Sequence, residues 1–326
     1  MKYELILRTV LSEPWAVLPE KMAVISELLA LRAAGRDLTE AEVRARIGER
    51  PAPRAKSGGA VAVVSLVGVM HPRVNMLQDM SGGTSCEMCA WMMRGAMEDP
   101  NVSAIVLDVD SPGGAVSGVE ELAAVVRETA QKKPVIAVAN TMAASAAYWV
   151  ASQASELVVS PSSEVGSIGV FMAHEDLSQA LEAVGVKVTL VQAGRDKTLG
   201  NMFEPLSDEA RAYIQERVDA PYAAFVAGVA KGRGKSAADV RAHFGQGRLV
   251  QARDAVRLGM ADRVQTMDEV LERLGAPLRK KRMPSQDDMP PRMPDDTDGK
   301  GEAAPSVEQP ADDLDLRERR LRLATR

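Results

Sequence analysis

The chain is short of aromatic residues, with Phe, Trp and Tyr making up 3% of its 326 positions. Its apolar share is still 46%, so a core must be built from Ala, Val, Leu and Met rather than from large rings. Cysteine is scarce as well. Cys86 and Cys89 cannot form a disulfide framework, and their scarcity fits a reducing compartment such as the cytoplasm. A lone Cys-x-x-Cys with no second pair and no placed histidine gives no metal site, and no cofactor is expected. Long apolar runs are missing too. The longest, near Ala60 to Met70, falls far short of the ~20 residues of a membrane-spanning helix. The net charge of -5 lacks the basic footprint of a nucleic-acid binder. Met1 to Glu20 is broken by Glu4, Arg8, Glu13 and Pro14, so it does not read as a secretory signal.

What is present divides into three parts. Residues 1–57 read as a helical appendage and linker. Val17, Leu18, Met22, Ile25, Leu28 and Leu29 recur at helical spacing, and Thr39 with Glu42 resembles a capping box. Pro51 to Gly59 is linker by composition. Residues 58–278 alternate strand and helix patterns, which argues an α/β fold with a mostly parallel sheet and crossover helices. Expected strands are Ala60 to Met70, Val102 to Val109, Pro134 to Ala139, Leu157 to Val159 and Lys187 to Gln192. Expected helices include Thr84 to Met97, with a Met-rich face of core or subunit contact, and Ser207 to Ala230. His71 to Gly83 reads as loop. Residues 279–326, rich in Pro and Asp, read as a disordered tail with a possible scaffold-like segment.

Four stretches of the α/β part carry candidate chemistry. In Asp110-Ser-Pro-Gly-Gly-Ala, Gly113 and Gly114 can turn main-chain N–H groups toward a ligand. Ser145 follows a buried strand among alanines, where a helix begins. A helix start presents unpaired N–H groups and a positive dipole end, which suits a nucleophile. The same serine could equally be an N-cap, and these residues alone leave both readings open. In Glu164-Val-Gly-Ser-Ile-Gly, Gly166 and Gly169 allow close backbone approach. Lys197 follows an expected buried strand. An apolar pocket would lower its pKa and let a neutral amine take the proton of Ser145. His174 competes for that role, and the residues rank it second.

Ser-Pro-Gly-Gly, Ala-Ala-Ser-Ala-Ala-Tyr-Trp, Val-Gly-Ser-Ile-Gly-Val and Gly-Arg-Asp-Lys-Thr-Leu-Gly-Asn, in that order, resemble the signal peptide peptidase A family of serine proteases, peptidase family S49. The resemblance covers Val61 to Leu274. It implies a fold similar to Clp protease and crotonase subunits, and a homo-oligomer. It implies Ser145 as nucleophile and Lys197 as general base, and argues against His174. It places oxyanion or substrate contacts at Gly113, Gly114, Ala146, Gly166 and Ser167. The Leu-Pro-Glu-Lys-Met and Phe-Glu-Pro-Leu segments look like the soluble phage and prophage branch, which implies cleavage of scaffold, portal or capsid proteins in the host cytoplasm or prohead interior. Three other readings share part of this pattern: a general cytoplasmic peptidase of signal or misfolded peptides, a crotonase-type acyl-CoA enzyme, and an inactive assembly protein.

Overall fold

The computed structural model describes residues 13–36, 38–39, 42–43, 56–57, 60–73 and 83–276. The tail expected over 279–326 and most of the linker expected over 51–59 lie outside these residues.

The strands, in chain order, are β1 (Trp15–Val17), β2 (Lys56–Ser57), β3 (Val61–Val67), β4 (Met70–His71), β5 (Thr84–Ser85), β6 (Ala104–Ser111), β7 (Gly113–Ala115), β8 (Val135–Ala144), β9 (Glu156–Val159), β10 (Glu164–Gly166), β11 (Leu249–Gln251) and β12 (Arg263–Val264). The helices are α1 (Pro19–Ala33), α2 (Cys86–Glu98), α3 (Val119–Lys132), α4 (Ala146–Ala151), α5 (Ser178–Ala183), α6 (Asp208–Arg233), α7 (Ala237–His243), α8 (Ala252–Leu258) and α9 (Met267–Arg273).

One sheet runs β11-β10-β8-β6-β3-β2, with β9 paired to β8 and β12 paired to β9. Its inner pairs β3–β6, β6–β8, β8–β9 and β8–β10 are all parallel. Parallel strands are covered on both faces, so they read as unbroken apolar runs. Alternation along β6 shows this. Ile105, Leu107 and Val109 join the main core under the helices, while Val106 turns to the opposite cluster with Ile136, Val138, Val158 and Val270. The expected α/β fold with a mostly parallel sheet is the fold observed.

Helix α6 fixes the short helix α4 from outside. Phe225 stacks on Trp149 with ring centroids 5.0 Å apart and an interplanar angle of 8°. A Cβ at Gly228 would lie 2.1 Å from Trp149 Nε1, so the two helices can approach this closely only over a glycine. The end of α6 is tied down by Arg233, which donates to both carboxylate oxygens of Asp262. We expect Phe225→Ala to cost about 3–5 kcal/mol through the cavity it leaves beside Trp149. A lower urea midpoint with an unchanged slope would show this.

A second sheet, β1-β7-β4-β5, lies over the strand ends. Two expectations change here. Trp15–Val17 was expected within a helical pattern, and it is a strand. Its apolar residues fit either period. Pro19 decides the matter, since it holds the first helical position and biases Leu18 toward extended backbone, φ -63° and ψ 131°. His71, expected in a loop, is buried in β4. The Thr39–Glu42 capping box is present, with Thr39 N–H donating to Glu42 and Glu42 N–H donating to Thr39.

Helix α2 buries Met92, Met93 and Met97 as expected, but Trp91 and Met88 point outward. Cys86 and Cys89 are buried in the main core, and burial pushes both thiols up to about 12. Thiols held that high are packing groups rather than nucleophiles.

Candidate active site

β8 runs five residues further than the expected end at Ala139, to Ala144, because β10 pairs with its last three positions, Met142 to Ala144. This extension carries the chain directly into Ser145. The turn from β8 to α4 is so tight that Ser145 adopts φ 54° and ψ -121°, outside the regions open to most L-residues. Small neighbours make the turn possible, since Ala143, Ala144, Ala146 and Ala147 are all fully buried.

Ser145 holds the N-cap position of α4, its carbonyl accepting from the Trp149 N–H at 3.1 Å, but its side chain makes no capping hydrogen bond. Its hydroxyl instead reaches the carbonyl of Gly169 at 3.4 Å, and its N–H donates to the carbonyl of Gly166 at 2.7 Å. Ser145 thus sits in strained backbone, its hydroxyl not used as a cap, where a strand turns into a helix.

Gly113 and Gly114 stand against this elbow. A Cβ at Gly113 would lie 2.9 Å from the Cβ of Ser145 and 3.1 Å from the carbonyl oxygen of Ala144. Gly113 has φ 96°, so it needs glycine on conformational grounds as well. Its N–H donates to Ser111 Oγ at 3.2 Å, and Ser111 Oγ in turn donates to the carbonyl of Gly68 at 2.6 Å. Gly166 and Ser167 form the opposite wall, with φ 110° and 52°. Ser167 donates its N–H to Arg248. The structure thus gathers Ser145, Ala146, Gly113, Gly114, Gly166 and Ser167 at one end of the sheet. Asp110 lies beside them. Burial raises its carboxyl, while a hydrogen bond from Thr141 and the charge of Lys21 oppose the rise.

Lys197 lies in an exposed turn, and its side chain makes no hydrogen bond to Ser145. The buried strand expected at 187–192 is absent, and that stretch is irregular and largely exposed. Its apolar residues Val188, Leu190 and Val191 read as a strand, but among the described residues no strand pairs with them. His174 Nε2 lies 3.1 Å from the carbonyl of Asn201.

Ser145, Ser167 and Lys197 fall within residues 127–280, which match the model for peptidase family S49. This stretch resembles peptidase family S49. Gly113 and Gly114 precede the matched stretch, but sequence similarity to curated proteins is longer. The head-tail preconnector protein GP5 of Enterobacteria phage P21 is 34% identical over 215 residues, covering 66% of this chain and 42% of that protein. The capsid assembly protease C of Escherichia phage lambda is 35% identical over 215 residues, covering 66% of this chain and 48% of that protein. The chain therefore spans less than half the length of both. Among solved structures, an enoyl-CoA hydratase from Polaromonas sp. JS666 aligns over 68% of this chain and 76% of that chain, with a TM-score of 0.40 and 15% identity. Among the described residues, no helix is long and apolar enough to cross a membrane.

Two features of this site escaped sequence reading. The strain at Ser145 needs the register of β10 on β8, which joins segments some twenty residues apart. The strand β1 against Gly113–Ala115 joins segments about a hundred residues apart. The one local signal for it was the pair Pro14 and Pro19, which bracket an extended stretch. Nearby, His71 packs edge-on to Trp15, ring centroids 6.4 Å apart, and burial lowers its pKa to about 4. Its unfolded value is 6.5, so below that pH the unfolded chain binds the proton more readily. Stability is full above 6.5, falls as pH drops toward 4, and this group alone accounts for about 3 kcal/mol of the loss. Urea titrations at a series of pH values will show the fall, and His71→Phe should flatten it.

Proposed function

We propose that the chain is a serine endopeptidase in which Ser145 is the nucleophile and Lys197 the general base. The observation that carries the reading is the strained, uncapped Ser145 between Gly113–Gly114 and Gly166–Ser167. Extended peptide substrates would pair with the main chain beside the serine. The N–H of Ala146, at the start of α4, and that of Gly114 would meet the oxyanion, while the Gly113 N–H is held by Ser111 Oγ.

The reading requires Lys197 to leave water, since an ammonium loses its proton near neutral pH only when desolvated. The exposed valines 184, 186, 188 and 191 on the same segment favour a homo-oligomer that covers them. Such coverage would draw Lys197 into an apolar setting. The phage relatives favour capsid-associated proteins as substrates, cut in the host cytoplasm or the prohead interior. We read residues 58–278 as the peptidase domain and 279–326 as a tail beyond it.

The test is cleavage of a co-expressed head protein by the wild type, Lys197→Ala and Lys197→Arg. We expect both variants to lose about a hundredfold or more in rate, because an arginine stays charged and cannot act as the base. Unchanged cleavage in the alanine variant would remove Lys197 from the mechanism.

A further inference from the structure

We propose that Trp15–Val17 is a tethered stand-in for substrate: it lies in the peptide cleft beside Ser145 and must leave before a substrate's main chain can pair there. This rests on the reading of Ser145 as the nucleophile.

The cleft has two walls. One is β7, Gly113–Ala115. The other is the stretch Gly169 to Phe171, whose Gly169 carbonyl receives the Ser145 hydroxyl. β1 lies between them and bonds to both. On one side it pairs antiparallel with β7, in the register Trp15 to Ala115, Ala16 to Gly114 and Val17 to Gly113. Leu18 donates to the carbonyl of Pro112 at 3.1 Å, and Val116 donates to the carbonyl of Pro14 at 3.2 Å. On the other side Trp15 and Phe171 exchange two bonds, at 2.9 and 3.0 Å. That register carries Val17 to the level of Gly169.

Residues 14 and 18 bond to β7 and residue 15 bonds away from it. Alternation along an antiparallel ladder therefore makes Ala16 the residue that exchanges bonds with Gly114. The N–H of Gly114, one of the candidate oxyanion donors, is thus taken by the chain's own Ala16. The approach to the nucleophile is close. A Cβ on Gly113 would meet both the Ala16 carbonyl oxygen, at 2.2 Å, and the Cβ of Ser145, at 2.9 Å.

An extended segment hydrogen-bonded on both edges beside a nucleophile has the geometry by which clefts hold peptide substrates. The segment is short because Pro14 and Pro19 offer no N–H to prolong the ladder. Its hold comes from apolar anchors. Trp15 and Val17 are buried with Met22, Ile25 and Leu29 of α1 and with Val69. Release thus means peeling β1 and α1 away together, a local opening whose cost can be met by a competing peptide or by a partner that takes up the exposed apolar face.

The test has two arms on the full chain. In the first, a fluorophosphonate labels Ser145 in the wild type, in Ala16→Pro, which deletes the Ala16 N–H, and in Trp15→Ala, which removes the anchor. We expect at least tenfold faster labelling in both variants at matched fold content. Folded variants that label no faster overturn the proposal. In the second arm, amide exchange is followed in the wild type with an excess of the synthetic peptide Ser-Glu-Pro-Trp-Ala-Val-Leu, a copy of residues 12–18. Exchange at Trp15 and Val17 should quicken while Gly114 and Val116 stay protected. Unchanged exchange at residues 15–17 with peptide at its solubility limit overturns the proposal. This arm needs no reaction at Ser145 and decides alone if the variants do not fold. Labelling absent from every chain would instead count against Ser145 as the nucleophile.

Discussion

Ser145→Ala is expected to lower peptide cleavage by about a thousandfold or more while leaving the melting temperature where it was. The hydroxyl makes one long bond, to Gly169, and caps nothing, so its loss removes almost no stabilising contact. Alanine keeps the Cβ and therefore keeps the strain of φ 54°. Ser145→Gly separates the two roles of the residue. It too should be inactive, but glycine accepts positive φ, and relief of about 1–3 kcal/mol of backbone strain outweighs the entropy that glycine adds to the unfolded chain. We expect Ser145→Gly to be more stable than both other forms by about 1 kcal/mol. Cleavage of a head protein and thermal melts on the three chains check both halves. An active Ser145→Ala would remove the nucleophile from the mechanism. A Ser145→Gly less stable than Ser145→Ala would show that the elbow holds no strain.

Gly114→Ala is expected to be the most damaging single methyl group at the site. Its Cβ would lie 2.0 Å from the carbonyl oxygen of Met70 and 2.6 Å from the Cα. Both are backbone atoms of β4, so no side-chain rotation relieves the clash. The four-stranded sheet β1-β7-β4-β5 must open, and β1 and His71 go with it. We expect a loss of about 3 kcal/mol, with the melting temperature falling by roughly 6–12 °C for a unit of this size. Gly169→Ala is the control. Nothing lies within 4 Å of its added Cβ, although the residue belongs to the same cleft. Its melt should match the wild type. A Gly114→Ala chain with an unshifted melt would mean that β7 and β4 do not approach as closely as described.

Much of the main sheet could be read from the chain. β3, β6 and β8 are runs of Val, Ile, Leu and Ala buried on both faces, and that chemistry belongs to parallel strands under helices. The same composition concealed where the strands end. Asn140 and Thr141 look like the start of a turn, and both are exposed, yet β8 continues past them because β10 arrives to pair with it. The error at 187–192 ran the other way. An apolar run such as Val188, Leu190 and Val191 signals a strand only if another strand receives it, and none among the described residues does. Exposed Val191 and Lys197 are the result.

From residues alone one could place a serine after an apolar strand, glycine pairs at two strand ends and an α/β alternation, because these are short-range properties of composition and spacing. The backbone angle of Ser145, the occupied N–H of Gly114 and the exposure of Lys197 were decided only in three dimensions. Each depends on which distant segment lies alongside: β10 beside β8, β1 beside β7, and, among the described residues, no strand beside residues 187–192. Strand pairing joins positions far apart in the chain through main-chain groups that every residue carries, so the side-chain order leaves little trace of the partner chosen.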